Sequence, residues 1–194
     1  MNSQPPAHSE TTTKLLIATT NPGKLVEYQA LLSDLPVELI YLRDVNITEE
    51  IPETGTTFEA NAYIKADGYA QLSGIATLAD DSGLEVDALN GEPGVYSARY
   101  GDRNSDQERT ELVLAKLAGV PAAQRSARFV CVIVVALPDG THFEARGTIE
   151  GTITQAPRGD HGFGYDPIFE IANGMTTAEL PPHEKNMISH RAEA

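Results

Sequence analysis

Cysteine is nearly absent from this chain. Cys131 is the only one in 194 residues, so an intramolecular disulfide is excluded and a reducing, cytoplasmic setting suits the sequence. Cys131 sits inside the apolar run Phe129–Leu137 and reads as a small core residue rather than a nucleophile. No apolar run approaches the ~20 residues needed to cross a bilayer, which argues against a membrane protein. Positive charge is scarce: 14 Lys and Arg stand against 28 Asp and Glu, a net charge of -14. Such a surface repels nucleic acid and anionic lipid at long range. A small polyanion is still admissible where a few lysines and a bound cation converge. Residues 1–13 are polar, with two prolines and no apolar stretch of the signal-peptide kind, and read as a disordered tail. Residues 14–194 then form a single domain, with no internal repeat and no linker dividing them.

The elements follow from periodicity. Leu15–Ala18 suits a buried strand, and Leu25, Tyr28, Leu31 and Leu32 lie at helical spacing behind it. Val37–Leu42 is a second strand. Thr56-x-x-Glu59 has the form of a capping box, ahead of a stripe of Phe58, Ala62, Ala66, Tyr69 and Leu72 that Gly74 terminates. Ile75–Ala79 is the next strand, ending in Asp80-Asp81-Ser82-Gly83, and Leu84, Val86 and Ala88 alternate as in a half-buried strand. Ser105-x-x-Glu108 opens another helix. Ala127–Leu137 and Thr141–Gly151 flank Pro138-Asp139-Gly140 as a hairpin. This order predicts an α/β fold with a mixed sheet and flanking helices.

Five segments carry possible chemistry. Thr19-Thr20-Asn21-Pro22-Gly23-Lys24 joins a strand to a helix, the geometry in which free N–H groups and the helix dipole face an anion. It lacks the Walker A pattern, and alone it is as well read as a plain turn with a solvated lysine. Asp80-Asp81-Ser82-Gly83 offers hard oxygen ligands suited to Mg²⁺, or an ordinary turn. Glu53 precedes a helix on which Asn61 and Lys65, four apart, share a face. Gly162-Phe163-Gly164-Tyr165-Asp166 sets aromatic rings among glycines, an arrangement able to stack on a base or simply to cap the core. Glu184–Arg191 gathers Lys185, His190 and Arg191 near the chain end. No His/Cys spacing supports zinc, and no Ser-His-Asp arrangement stands out.

Taken in this order, with Gly91–Arg99 added, the segments resemble the inosine/xanthosine triphosphate pyrophosphatase family from Lys14 to the last residue. The resemblance implies an elongated α/β fold with two lobes around a central substrate cleft, usually a homodimer. It implies Mg²⁺-dependent hydrolysis of deaminated purine nucleoside triphosphates (dITP, ITP, XTP) to monophosphate and pyrophosphate. Two other readings are a pyrophosphatase for modified pyrimidine nucleotides and a nucleotide-binding sensor that does not hydrolyse. On the family pattern Asp81 is the catalytic acid-base residue and a metal ligand, with Glu53 helping to hold the metal. Thr19, Thr20, Asn21, Pro22, Gly23, Lys24, Lys65, Ser82 and Lys185 hold phosphates and sugar. Phe163, Gly164, Tyr165, Asp166, His190 and Arg191 hold the base, with Phe163 or Tyr165 stacked on it and backbone N–H groups near Phe163–Asp166 among the donors. The family continues into a C-terminal helix with leucines where this sequence ends at Ala194, so a truncated helix is expected.

Overall fold

A computed structural model describes residues 13–194. The expected tail over residues 1–13 lies outside the described residues except for Thr13, which opens the first strand. Six strands form one sheet in the order β2-β1-β3-β4-β5-β6. They are β1 (Thr13–Ile17), β2 (Val37–Tyr41), β3 (Thr77–Val86), β4 (Ser126–Ala136), β5 (His142–Ile153) and β6 (Phe169–Glu170). β1 runs parallel to β2 and β3, whereas β3, β4, β5 and β6 pair antiparallel, so the sheet is mixed as expected. Among the described residues five α-helices accompany it, α1 (Pro22–Leu31), α2 (Phe58–Ser73), α3 (Asp106–Lys116), α4 (Pro182–Ile188) and α5 (His190–Glu193), together with short 3-10 turns.

Local chemistry sets the helix ends. Asn21 caps α1 by accepting from the Gly23 and Lys24 N–H groups, with Pro22 at the first helical position. Ser105 and Glu108 form the expected capping box on α3. The cap of α2 is Thr57, which accepts from Ala60 N, one residue later than the sequence pattern indicates. Glu59 makes no capping box there, because with Thr57 as the cap it falls at the second helical position rather than the third, and its carboxylate pairs with Arg146 of β5. Gly74 ends α2 at φ 67°, the left-handed conformation that glycine adopts without steric cost.

Two expectations about burial change. Leu72 belongs to the apolar stripe of α2 but is 49% exposed, since the apolar buried face runs through Phe58, Ala62, Ala66, Tyr69 and Ala70. Asp80–Gly83 is not a turn between strands. It lies inside β3, which pairs with β4 without interruption from Thr77↔Ala136 to Val86↔Ala127. Gly83 is required there by close packing: a Cβ would strike Ser97 and the Gly94 carbonyl. Ser97 closes this contact by accepting from Leu84 N at 2.9 Å and donating to Gly94 O at 2.7 Å.

The core forms separate clusters. One centres on α2 with Leu16, Ala79, Val130 and Val132. Another joins Leu84, Val113, Leu117, Phe129, Ile168 and Phe169. Cys131 is fully buried, and burial pushes its thiol up to about 12, in keeping with a core role. Arg125 is also buried, donating to the carbonyls of Leu117, Val120 and Thr154. Arg125→Met strands those carbonyls, so it is expected to cost about 2–5 kcal/mol. Urea unfolding measures this, and a loss below 1 kcal/mol would contradict the assignment.

Candidate active site

The site begins where β1 ends. β1 pairs with β3 only at Leu16↔Thr77 and Ile17↔Leu78, then turns away through Thr19–Lys24 into α1. β3 runs on, and the sheet opens beside Asp80, Asp81 and Ser82. An opening of this kind at the carboxyl end of parallel strands is where α/β sheets bind ligands. Here it leads into a cleft of about 880 Å³. The lining includes Thr19, Thr20, Asn21, Lys24, Glu53, Lys65, Asp81, Ser82, Phe163, Gly164, Tyr165, Asp166, Lys185, His190 and Arg191. Of the residues the family pattern assigns to the site, all line the cleft except Pro22 and Gly23; Asn61 and Asp80, from the same segments, also lie outside the lining. Gly23 backs directly onto the Phe163 ring, leaving no room for a Cβ.

Neighbouring residues of a strand face opposite sides of the sheet, and this separates the two aspartates. Asp81 faces α2. Its Oδ2 accepts from Asn61 Nδ2 at 2.9 Å, and its Oδ1 lies 3.9 Å from Lys65 Nζ. Burial pushes its carboxyl up to about 6, with Lys65 and Asn61 offsetting only part of that effect. Glu53 shares the same ammonium, with Lys65 Nζ at 2.5 Å and Arg99 Nη1 at 3.0 Å. Burial raises its carboxyl, but Lys65, Arg99 and Lys24 together outweigh burial and leave it below the ordinary value. Lys65 is shifted upward: burial disfavours its charge, and Asp80, Asp81 and Glu53 overcome that.

Asp80 faces the other way. It is 2% exposed and pairs with Lys24 Nζ at 2.8 Å and Arg191 Nη2 at 3.3 Å. Burial raises its carboxyl, yet Lys24, Arg191 and Lys65 together hold it well below the usual range. Arg191 also bonds Glu27 and Ser82 Oγ, the latter at 2.9 Å, so its guanidinium is largely occupied. Lys185 bridges Glu27 at 2.9 Å and Asp166 at 2.5 Å. His190 stacks on Phe129 with centroids 4.9 Å apart. Burial, reinforced by Arg191 and Lys185, drives its imidazole well below the ordinary value, so it is neutral near pH 7.

The aromatic loop differs from expectation in detail. Tyr165 is 4% exposed and its hydroxyl donates to Ser97 O at 2.8 Å, which leaves Phe163 as the ring turned to the cleft. The Phe163 N–H donates to Asp166 Oδ2 at 2.9 Å and the Gly164 N–H to Asp106 Oδ2 at 2.7 Å. Those backbone donors are already engaged, and Asp166 is spent on Phe163 N, Thr177 and Lys185. Sequence reasoning missed Glu27 and Asp106 as parts of the site, read Asp80 only as a possible Mg²⁺ oxygen, and gave Arg99 no chemistry. Strand alternation at Asp80-Asp81 was a usable signal for one of them, whereas Glu27 lies within an unremarkable helical stretch.

Among the described residues, no group of three or more His, Cys, Asp or Glu side chains gathers as a metal cage. Of the carboxylates lining the cleft, which also include Glu50, Asp106 and Asp166, Glu53 and Asp81 are the pair sharing one ammonium. That number of protein oxygens suits Mg²⁺, which fills the rest of its shell with water and substrate phosphate.

The Ham1 family profile matches residues 15–194. A Symbiobacterium thermophilum protein named dITP/XTP pyrophosphatase is 50% identical over 93% of this chain and 90% of its own length. A Bacillus subtilis protein of the same name is 48% identical over 92% and 91%. Among solved structures, a HAM1 protein from Coxiella burnetii superposes with a TM-score of 0.85 at 44% identity, covering 94% of each chain. A nucleoside-triphosphatase / dITP/XTP pyrophosphatase from Mycobacterium abscessus gives a TM-score of 0.75 at 46% identity, covering 92% of this chain and 94% of its own. With the profile spanning nearly all of the described residues and identities near one half, the chain belongs to the Ham1 family.

Proposed function

We propose that this chain hydrolyses deaminated purine nucleoside triphosphates such as dITP, ITP and XTP to the monophosphate and pyrophosphate. The observation that carries the reading is Asp81, a buried carboxyl of raised pKa facing the cleft beside Glu53 and Lys65. The names of the relatives supply the substrate class.

In this reading Lys24, Lys65 and the Thr19–Lys24 turn hold the polyphosphate, Ser82 and Lys185 lie along the phosphates and sugar, and Phe163 stacks on the base. His190 and Arg191 line the base end. Asp81 accepts the proton of a water that attacks the α-phosphorus, and pyrophosphate departs with the electrons of the broken P–O bond. Glu53 and Asp81 would hold Mg²⁺, which supplies charge neutralisation at the phosphate oxygens. Asn61 keeps the Asp81 carboxylate aimed through its 2.9 Å hydrogen bond.

A carboxyl near 6 predicts a pH profile. Asp81 must be ionised to accept a proton, so at low Mg²⁺ kcat/KM is expected to fall as pH drops through about 6, and saturating Mg²⁺ held by the carboxylate is expected to carry that fall to lower pH. A profile at low Mg²⁺ that is flat from pH 7 to 5 would contradict the role given to Asp81.

Pyrophosphate release from ITP, XTP, dUTP and ATP tests the substrate class: the two deaminated purines are expected to lead. A lead for a pyrimidine, or binding without release, would overturn the reading. A homodimer is part of the proposal, supported by the resemblance. Light scattering over a range of concentrations is expected to give twice the chain mass, and a persistent monomer contradicts it. Among the described residues no helix is long and apolar enough to cross a membrane, and a cytoplasmic site of action belongs to the same proposal.

A further inference from the structure

We propose that Asp80 is a positioning residue for the phosphate end of the cleft, fixing the Lys24 ammonium of the anion-binding turn. The inference rests on the pyrophosphatase reading and deepens it. Strand alternation turns Asp80 away from Asp81 and into the interior, where its side chain is 1% exposed. It stands behind the cleft while Lys24 lines it. The Lys24 ammonium lies 2.8 Å from Asp80 Oδ2 and its side chain is 13% exposed, so the amine reaches the cleft from a fixed anchor.

The turn is thereby held at two levels. Asn21 Oδ1 accepts from the N–H groups of Gly23 and Lys24 and fixes the backbone. Asp80 fixes the tip of the side chain. Lysine is a point charge on a flexible four-carbon stem, and an amine already placed binds a polyphosphate without first being ordered. Asp80 also touches Arg191 at 3.3 Å, but Glu27 and Ser82 hold that guanidinium independently. The contribution through Lys24 is therefore separable by a double-mutant cycle.

The experiment compares wild type, Asp80→Asn, Lys24→Gln and the double variant. It reads KM and kcat on dITP, and inorganic pyrophosphate affinity by calorimetry. Asp80→Asn is expected to raise KM and weaken pyrophosphate binding by about tenfold with a smaller change in kcat, and to add less than about twofold once Lys24 is Gln. Asp80→Glu keeps the charge but displaces the amine. It is expected to fold and to show an intermediate KM, and it decides the matter if Asp80→Asn does not fold. Additive effects of Asp80→Asn and Lys24→Gln, or an Asp80→Glu enzyme with wild-type KM, would overturn the inference. Pyrophosphate affinity reports on Lys24 placement whether or not dITP is turned over, so failure of the functional reading is distinguishable from failure here.

Discussion

Asp81→Asn is expected to lower turnover by about 10²–10⁴-fold, the usual contribution of a general base, and to leave a folded protein. Asn preserves the shape of the side chain and an oxygen to accept the Asn61 hydrogen bond. It removes the charge that a base or a Mg²⁺ ligand needs. The stability effect has a definite sign. The Asp81 carboxyl is raised from 3.8 to about 6 in the folded chain, so the native state holds its proton more tightly than the unfolded chain does. Asp81 therefore disfavours the fold increasingly as pH rises from about 4 to about 6, and the cost remains above that. Asp81→Asn relieves it, and thermal melting at pH 8 is expected to show a midpoint no lower than wild type. A variant retaining more than half of wild-type turnover at saturating Mg²⁺ would remove Asp81 from the mechanism.

The second large effect is discrimination between dITP and dATP. Hypoxanthine presents a carbonyl at position 6 where adenine presents an amino group. Arginine can only donate hydrogen bonds, and neutral histidine has one donor and one acceptor nitrogen. In the proposed reading the base end belongs to Arg191 and His190, whose Nε and Nδ1 are buried without a hydrogen-bond partner within the chain. The backbone N–H groups of Phe163 and Gly164 are committed to Asp166 and Asp106, so the proposed reading leaves discrimination to the two side chains. Two mismatched polar groups at roughly 1–3 kcal/mol each correspond to a preference of about 10²–10⁴-fold in kcat/KM for dITP. The ratio is expected to narrow in His190→Ala. Arg191→Ala is expected to narrow it as well and to lower stability, since it takes from buried Glu27 and Asp80 a shared cation. Equal fold losses on dITP and dATP in both variants would show that neither side chain reads the base.

Much of this architecture is written locally. The Ser105–Glu108 box, the Asn21-Pro22 start, the Gly74 stop and the β4–β5 hairpin rest on short-range chemistry, and each element forms where its pattern lies. The expectations that shifted depend on distant partners. Thr57 rather than Thr56 caps α2, with Glu59 drawn to Arg146 of β5. Asp80–Gly83 looks like a turn because Asp, Ser and Gly favour turns. Pairing with β4 and the docking of Ser97 beside Gly83 keep it extended. The candidate site was legible as residues but not as a network. Glu27, Asp80, Lys185 and Arg191 come from four elements, and only the folded chain shows that each buried acid there answers a particular cation.

The measurement that bears most directly on the central claim is phosphorus NMR of dITP hydrolysis by the wild-type chain with Mg²⁺. The proposed mechanism, with Asp81 serving a water that attacks the α-phosphorus, predicts dIMP and pyrophosphate appearing together in equal amounts from the first turnover, with no dIDP. Stepwise release of orthophosphate through dIDP would contradict it.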